Sequence, residues 1–177
     1  NKMAYSPKIN DPAFDRYLRN TRKWKLQFSL ILATVAIAGF YLYGAFSDEM
    51  DNPEALRIGM VISSIFLVVG LLSAKSRKRT FWDGLVIDKK IRKTEKYLVY
   101  TVYIKSQTGK VHERRYENDN TVFNYYKIGD EVRFHGKLNS YEKFDKSGDD
   151  IIFCNACAFL HEIDEDVCRN CGCPLLK

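Results

Sequence analysis

All five cysteines of this 177-residue chain lie after residue 153, and four of them have the spacing of a metal site. They form two C-x2-C pairs separated by ten residues: Cys154, Cys157, Cys168 and Cys171. Two such pairs are a usual way of supplying four thiolates to a tetrahedral zinc ion. Each pair turns tightly enough to direct both sulfur atoms at one point, and ten residues suffice for a returning hairpin. We therefore predict one structural zinc ion held by four cysteine thiolates, with iron as the less favoured metal.

Other interpretations of the cysteines depend on the surrounding sequence and on the compartment. A thioredoxin-like redox pair needs a strand and helix pattern that does not surround these cysteines. Cys173 lies too close to Cys171 to be an obvious ligand, and His161 is expected to face solvent in the hairpin. We leave both out of the ligand set, although either could replace a ligand. Four protein ligands leave no coordination position open, which is typical of structural rather than catalytic zinc.

Two apolar segments decide which compartment the cysteines occupy. Residues 26–46 and residues 58–74 contain no charged side chain. A helix needs about 20 apolar residues to cross a bilayer, with about 17 as the lower limit. We predict two transmembrane helices, at about 24–46 and 53–74, that form an antiparallel hairpin. The alternative, two buried helices of a soluble protein, is disfavoured because the rest of the chain is too small to enclose them.

Basic residues flank the two apolar segments mainly on one side, and the loop between the segments has only Arg57, at its end. The residues on that side are Arg16, Arg19, Arg22, Lys23 and Lys25 before the first segment and Lys75, Arg77, Lys78 and Arg79 after the second. The loop between the segments is mostly acidic, and Lys and Arg near span ends stay in the cytoplasm. We therefore predict a multi-pass membrane protein with both termini cytoplasmic. Disulfides are rare in that reducing compartment, and anionic headgroups account for much of the net charge of +6.

Alternating apolar and polar residues predict strands between the second apolar segment and the cysteines. The runs GLVIDKKIRK, KYLVYTVYIK, KVHERRYEN and EVRFHGKL are separated by turn residues, and TVFNYYKIGD is interpreted as a short connection. Four or more short strands indicate a small antiparallel sheet that curls into a barrel. His112 and His135 fall on these strands, where a solvent-facing or hydrogen-bonded histidine is the common case.

The predicted fold class is a multi-domain α+β membrane protein. It comprises a transmembrane helical hairpin, a small antiparallel β barrel and a C-terminal zinc ribbon. We divide the chain into a cytoplasmic segment at 1–23 with a candidate interfacial helix, the two spans at 24–79, a cytoplasmic β domain at 80–149 and the zinc ribbon at 150–177.

The end of the chain resembles known bacterial proteins. CNAC and CRNCGCPLL are similar to the zinc ribbons that end many of them, and the order of anchor, YKIGDEVRF strand, YEKFDKS and ribbon resembles two-span membrane proteins of Gram-positive bacteria. The β segment is similar in pattern to the small OB-like domains of the NfeD family. This resemblance implies a fold and carries no catalytic residue.

The sequence favours a non-enzymatic function. It contains no Gly-rich phosphate loop and no nucleophile elbow. We expect a membrane-anchored adaptor or accessory subunit that presents the β domain and the ribbon to a protein partner or a larger membrane complex. The alternative is a membrane-tethered nucleic-acid-binding protein. Its candidate surface combines six basic residues with two tyrosines: Lys89, Lys90, Arg92, Lys93, Arg114, Arg115, Tyr97 and Tyr116.

Overall fold

The computed structural model describes residues 3–47, 51–75 and 80–177. The chain divides into two compact units, one of Asp15–Ser76 and the other of Asn1–Phe14 with Arg77–Lys177. Part of the predicted outward loop, at 48–50, and the predicted basic residues Arg77, Lys78 and Arg79 lie outside the described residues.

Two long helices make up the first unit. Helix α1 spans Pro12–Phe46 and helix α2 spans Asn52–Ser73. Helix α1 therefore begins well before the apolar segment, because Pro12 suits a first turn and the carboxylate of Asp11 accepts the Ala13 N–H at 2.8 Å. Both helices are long and apolar enough to cross a membrane.

The two helices pack through small side chains. Ser29 Oγ donates to the carbonyl of Phe66, and Ser63 Oγ donates to the carbonyl of Ala33, both at 2.7 Å. Gly70 lies against Ser29 at one end of the contact, and Gly44 lies against Ala55 at the other, so the helices are antiparallel. Small residues let helix backbones approach closely.

The second unit contains a curled five-stranded antiparallel sheet. Its elements are β1 (Phe81–Lys93), β2 (Leu98–Ser106), β3 (Val111–Glu117), α3 (Thr121–Tyr125), β4 (Glu131–His135) and β5 (Ser140–Lys143). The strand order is β3-β2-β1-β4-β5. Arg114 on β3 donates to the side-chain and backbone oxygens of Asn139 in the β4–β5 turn, at 3.1 and 3.3 Å, so the curl brings the edge strands together. The prediction missed α3 and β5.

The concave face of the sheet carries the core. Val86, Val102, Ile104 and Val132 are fully or almost fully buried there, with Tyr125 and Tyr126 closing one side. Each of these valines and isoleucines alternates with more exposed neighbours along its strand, as expected for a half-buried sheet. The sheet thus presents one packed face and one open face.

A second, two-stranded sheet carries the cysteines. It pairs β6 (Ile151–Phe153) with β7 (Leu160–Glu162). Ile151 and Phe153 pack against the core of the larger sheet, and the Phe153 ring lies 5.2 Å from that of Tyr125. The predicted boundary at residue 149 therefore falls inside one compact unit.

The first residues of the chain also belong to this unit. Met3 forms a bridge with Asp145, and the Ser6 N–H donates to Glu142 Oε1 at 2.6 Å. Glu142 is buried, and its carboxylate also contacts Lys146 Nζ at 3.0 Å and His135 Nε2 at 2.8 Å. We call residues 3–6 the N-terminal strap. His135 is thus hydrogen-bonded and buried, one of the two settings expected for it.

Candidate metal centre

Two backbone turns of the same construction position the four cysteines. In the first, the Ala158 N–H donates to the Cys154 carbonyl at 2.8 Å; in the second, the Gly172 N–H donates to the Cys168 carbonyl at 2.9 Å. The residue after each pair has a positive φ, 60° at Ala158 and 70° at Gly172. Glycine adopts this conformation freely, whereas alanine pays about 1 kcal/mol or more for it. The two turns are therefore equivalent in geometry but not in strain.

The four sulfur atoms lie within 4.8 Å of one another. Two of the separations join the two turns, with 3.6 Å between the Sγ atoms of Cys154 and Cys171 and 3.5 Å between those of Cys157 and Cys168. A tetrahedral ion with metal–sulfur bonds of about 2.3 Å needs sulfur separations of about 3.8 Å. The four cysteines are thus positioned to bind a metal ion without a change of backbone.

Burial distinguishes the four thiols. Cys154 and Cys168 are buried, while Cys157 and Cys171 are partly exposed. Burial raises the pKa of the Cys154 thiol and of the Cys171 thiol. Burial also acts on Cys157, but hydrogen bonds from the Phe159 backbone and neighbouring side chains outweigh it and lower the pKa of that thiol. An ion must displace the protons of the raised thiols, so metal affinity falls as the pH falls.

The two spare donors lie close to the ribbon's interior. Cys173 is fully buried, and burial raises the pKa of its thiol to about 11. His161 is 3% exposed, so the expectation that it faces solvent is wrong. It lies on β7 opposite Ile152, on the inner face of the ribbon hairpin, and its Nδ1 is 2.9 Å from Glu165. Neither residue belongs to the group of four sulfur ligands.

Asn155, inside the first turn, joins the metal centre to the larger sheet. Its Nδ2 donates to Ser140 Oγ and to the Tyr141 carbonyl on β5, both at 3.1 Å. Asn155 as a whole is 8% exposed. Sequence reasoning missed this residue, and only its place between two ligands could have drawn attention to it.

Strand register separates the predicted nucleic-acid surface into two faces. Lys89 lies opposite Val102, and Val102 opposite Arg114, so both cations lie on the packed face with Tyr116. Lys89 Nζ donates to the Tyr126 carbonyl at 2.7 Å. Lys90 and Arg115 lie opposite Thr101 on the other face, where Arg92 also points. The structure therefore does not bring the eight predicted residues to one surface.

The fold and the site together define a class of protein: an α+β chain with two long apolar helices, a curled antiparallel sheet and a C-terminal cluster of four cysteines. Comparison with known proteins finds no matching family model, no matching curated protein and no matching solved structure. The likeness to NfeD-type domains therefore stays a prediction.

Proposed function

We propose that this protein is a non-enzymatic adaptor or accessory subunit of the bacterial plasma membrane. The observation that carries the proposal is the attachment of the four-cysteine ribbon to the β sheet through a shared core and Asn155. A metal held there fixes the surface of the whole cytoplasmic unit. A fixed surface, held by a metal ion that has no open coordination position, suits binding better than catalysis.

Zinc is the proposed metal. Four thiolates from two C-x2-C pairs form a closed tetrahedral set, and tetrahedral sulfur sites of this kind take zinc or iron. Zinc has no redox chemistry, so it fits a ribbon that holds a shape. Cys154, Cys157, Cys168 and Cys171 would each lose a proton to the ion.

The two helices serve as the anchor. Their outer surfaces expose large apolar side chains, among them Leu30, Val35, Val61 and Leu72. Neither apolar segment carries an Asp, Glu, Lys, Arg or His side chain, and such groups inside a membrane usually mark ion paths. The helices therefore suit anchoring or packing against another membrane protein better than transport. Basic residues at the span ends place both termini in the cytoplasm under this proposal.

Cross-linking followed by purification from the protein's own membranes tests the adaptor function. We expect a reproducible protein partner with the unaltered chain, and loss of that partner with Cys154→Ser, which removes a ligand but leaves the helices intact. Cys173→Ser serves as the matched control, because it removes a buried thiol outside the ligand set. Recovery of isolated monomers from the unaltered chain would contradict the proposal.

Nucleic-acid binding remains a second candidate because the strand order, with a helix between β3 and β4, is similar to that of OB barrels. The division of the basic residues between two faces weighs against it. A salt series with the full chain in detergent and a single-stranded oligonucleotide tests this function. Oligonucleotide binding at low salt that weakens steeply with added salt would favour nucleic-acid binding over the adaptor function.

A further inference from the structure

The end of the β1–β2 hairpin projects beyond the rest of the sheet. Strand β1 pairs with β4 only over Phe81–Leu85, and β3 reaches only to the pair Val99–Glu117. Residues 93–97 therefore lack a third strand, and we call them, together with Ile91 and Arg92 just before them, the hairpin tip (residues 91–97). Their turn is ordered, since the Thr94 N–H donates to the Tyr97 carbonyl at 2.9 Å and Thr94 Oγ1 accepts the Tyr97 N–H at 3.1 Å.

The hairpin tip combines positive charge with exposed apolar surface. Arg92, Lys93 and Lys96 carry three positive charges against the single negative charge of Glu95, and all four side chains are exposed. Ile91 is 59% exposed at one side of the tip. By contrast, the neighbouring Lys90 is paired with Asp88 at 3.4 Å. The three cations of the tip are thus available to meet an anionic partner.

We propose that the hairpin tip binds the anionic phospholipid headgroups of the membrane that anchors the chain. Basic residues attract anionic headgroups, and exposed apolar side chains enter the interface beside them. Seven residues separate the end of α2 from the start of β1, which even fully extended is about 25 Å. A tether this short keeps the unit that carries the hairpin tip beside any bilayer that α2 spans. The inference rests on the proposed membrane anchor.

Hydrogen exchange of the full chain in lipid nanodiscs tests this site. One nanodisc contains phosphatidylcholine alone, and the other contains equal parts of phosphatidylcholine and phosphatidylglycerol. We expect exchange at residues 91–97 to slow by about fivefold or more in the anionic disc, since one basic residue near such a surface changes affinity by about that factor. The variant Lys93→Glu with Lys96→Glu should lose this protection.

The matched control is Lys105→Glu with Lys110→Glu, which makes the same change of charge at the opposite end of β2 and should keep the protection. Equal exchange in the two lipids, or protection that survives in the tip variant, would overturn the inference. Protection by a single-stranded oligonucleotide but not by the anionic lipid would also overturn it. If the chain fails to insert into either disc, both the anchor and the inference are wrong, whereas insertion with an unprotected tip removes only the inference.

Discussion

Cys154 and Cys168 each begin one of the two turns of the metal centre, and both are buried. We predict that Cys154→Ser or Cys168→Ser lowers the metal content of the purified chain from one ion to well below one. The reason is that three thiolates leave the tetrahedral set incomplete, and binding by a structural zinc site is on the order of 10 kcal/mol or more. Elemental analysis of the purified full chain measures the change.

Cys173→Ser provides the control for the ligand set. Cys173 is as buried as Cys154, so the two variants disturb packing to a similar degree, but only one removes a ligand. We expect the Cys173→Ser protein to keep one metal ion per chain. Loss of the metal ion from the Cys173→Ser protein would show that the predicted ligand set is wrong.

Asn155→Ala should loosen the ribbon from the sheet. The variant removes two hydrogen bonds and leaves the Tyr141 carbonyl and Ser140 hydroxyl without this partner. We expect a loss of about 1–3 kcal/mol in the free energy of unfolding of the β unit, measured by denaturant titration in detergent. Asn124→Ala, at an exposed position on α3, is the control. Equal midpoints for the two variants would mean that Asn155 contributes nothing to the attachment.

At the residue scale, the sequence predicted that four cysteines meet at one point, because their spacing alone indicates that they can. It failed at His161 because the direction of a side chain on a short strand depends on the register with its partner. His161 pairs with Ile152, which faces the interior. No local pattern around residue 161 indicates that register.

At the scale of elements, the contact between α1 and α2 offers a matched pair of glycines. Gly70 lies directly against Ser29, whereas Gly39 has open space around its Cα. We predict that Gly70→Val destabilises the helix pair by about 1–3 kcal/mol, because the added side chain overlaps Ser29 and disrupts its hydrogen bond to Phe66. Loss of helical circular dichroism during titration with sodium dodecyl sulfate measures the effect.

Gly39→Val introduces the same side chain at an exposed position of α1. It should shift the unfolding transition in sodium dodecyl sulfate much less than Gly70→Val does. Both variants make the same change of helix propensity, but only Gly70→Val places the added side chain against the neighbouring helix. Transitions displaced equally in the two variants would show that the helices do not pack through Gly70.

The sequence predicted the long elements better than the short ones. Apolar segments without charge identified both helices, and alternation identified β1 to β4. Strand β5 (Ser140–Lys143) was missed because four residues carry too little alternation, and its pairing with β4 creates the strand. Helix α3 is a single turn whose Tyr125 is held by the core rather than by its own propensity.

At the scale of the whole molecule, orientation is the property to test. We predict that an epitope tag placed after Lys177 resists protease added to intact cells and is cleaved once the inner membrane is opened, because basic residues flank the spans on the tail side. A tag on the loop between α1 and α2 should show the reverse pattern. Digestion of the C-terminal tag in intact cells would place the cysteines outside, where disulfides become the favoured state.

The predicted boundary at residue 149 lies within one compact unit of the structure. The division at residue 149 followed a change in composition, but Asn155, Phe153 and Ile151 contact the preceding sheet through side chains. Contacts between segments that differ in composition leave no periodic signal. The unit that contains the sheet also contains the start of the chain, although the two apolar helices separate these segments in the sequence.

The N-terminal strap affects the design of a water-soluble fragment of this unit. A fragment cut at residue 80 would lose the Ser6 amide that Glu142 accepts and the Ala4 carbonyl that Lys146 Nζ meets at 3.0 Å. Both charged groups are buried, and although they keep each other as partners, the loss of one hydrogen bond at each costs about 1–3 kcal/mol. A soluble version should therefore join the first dozen residues to the last hundred residues through a flexible linker. This linker would replace the two apolar helices.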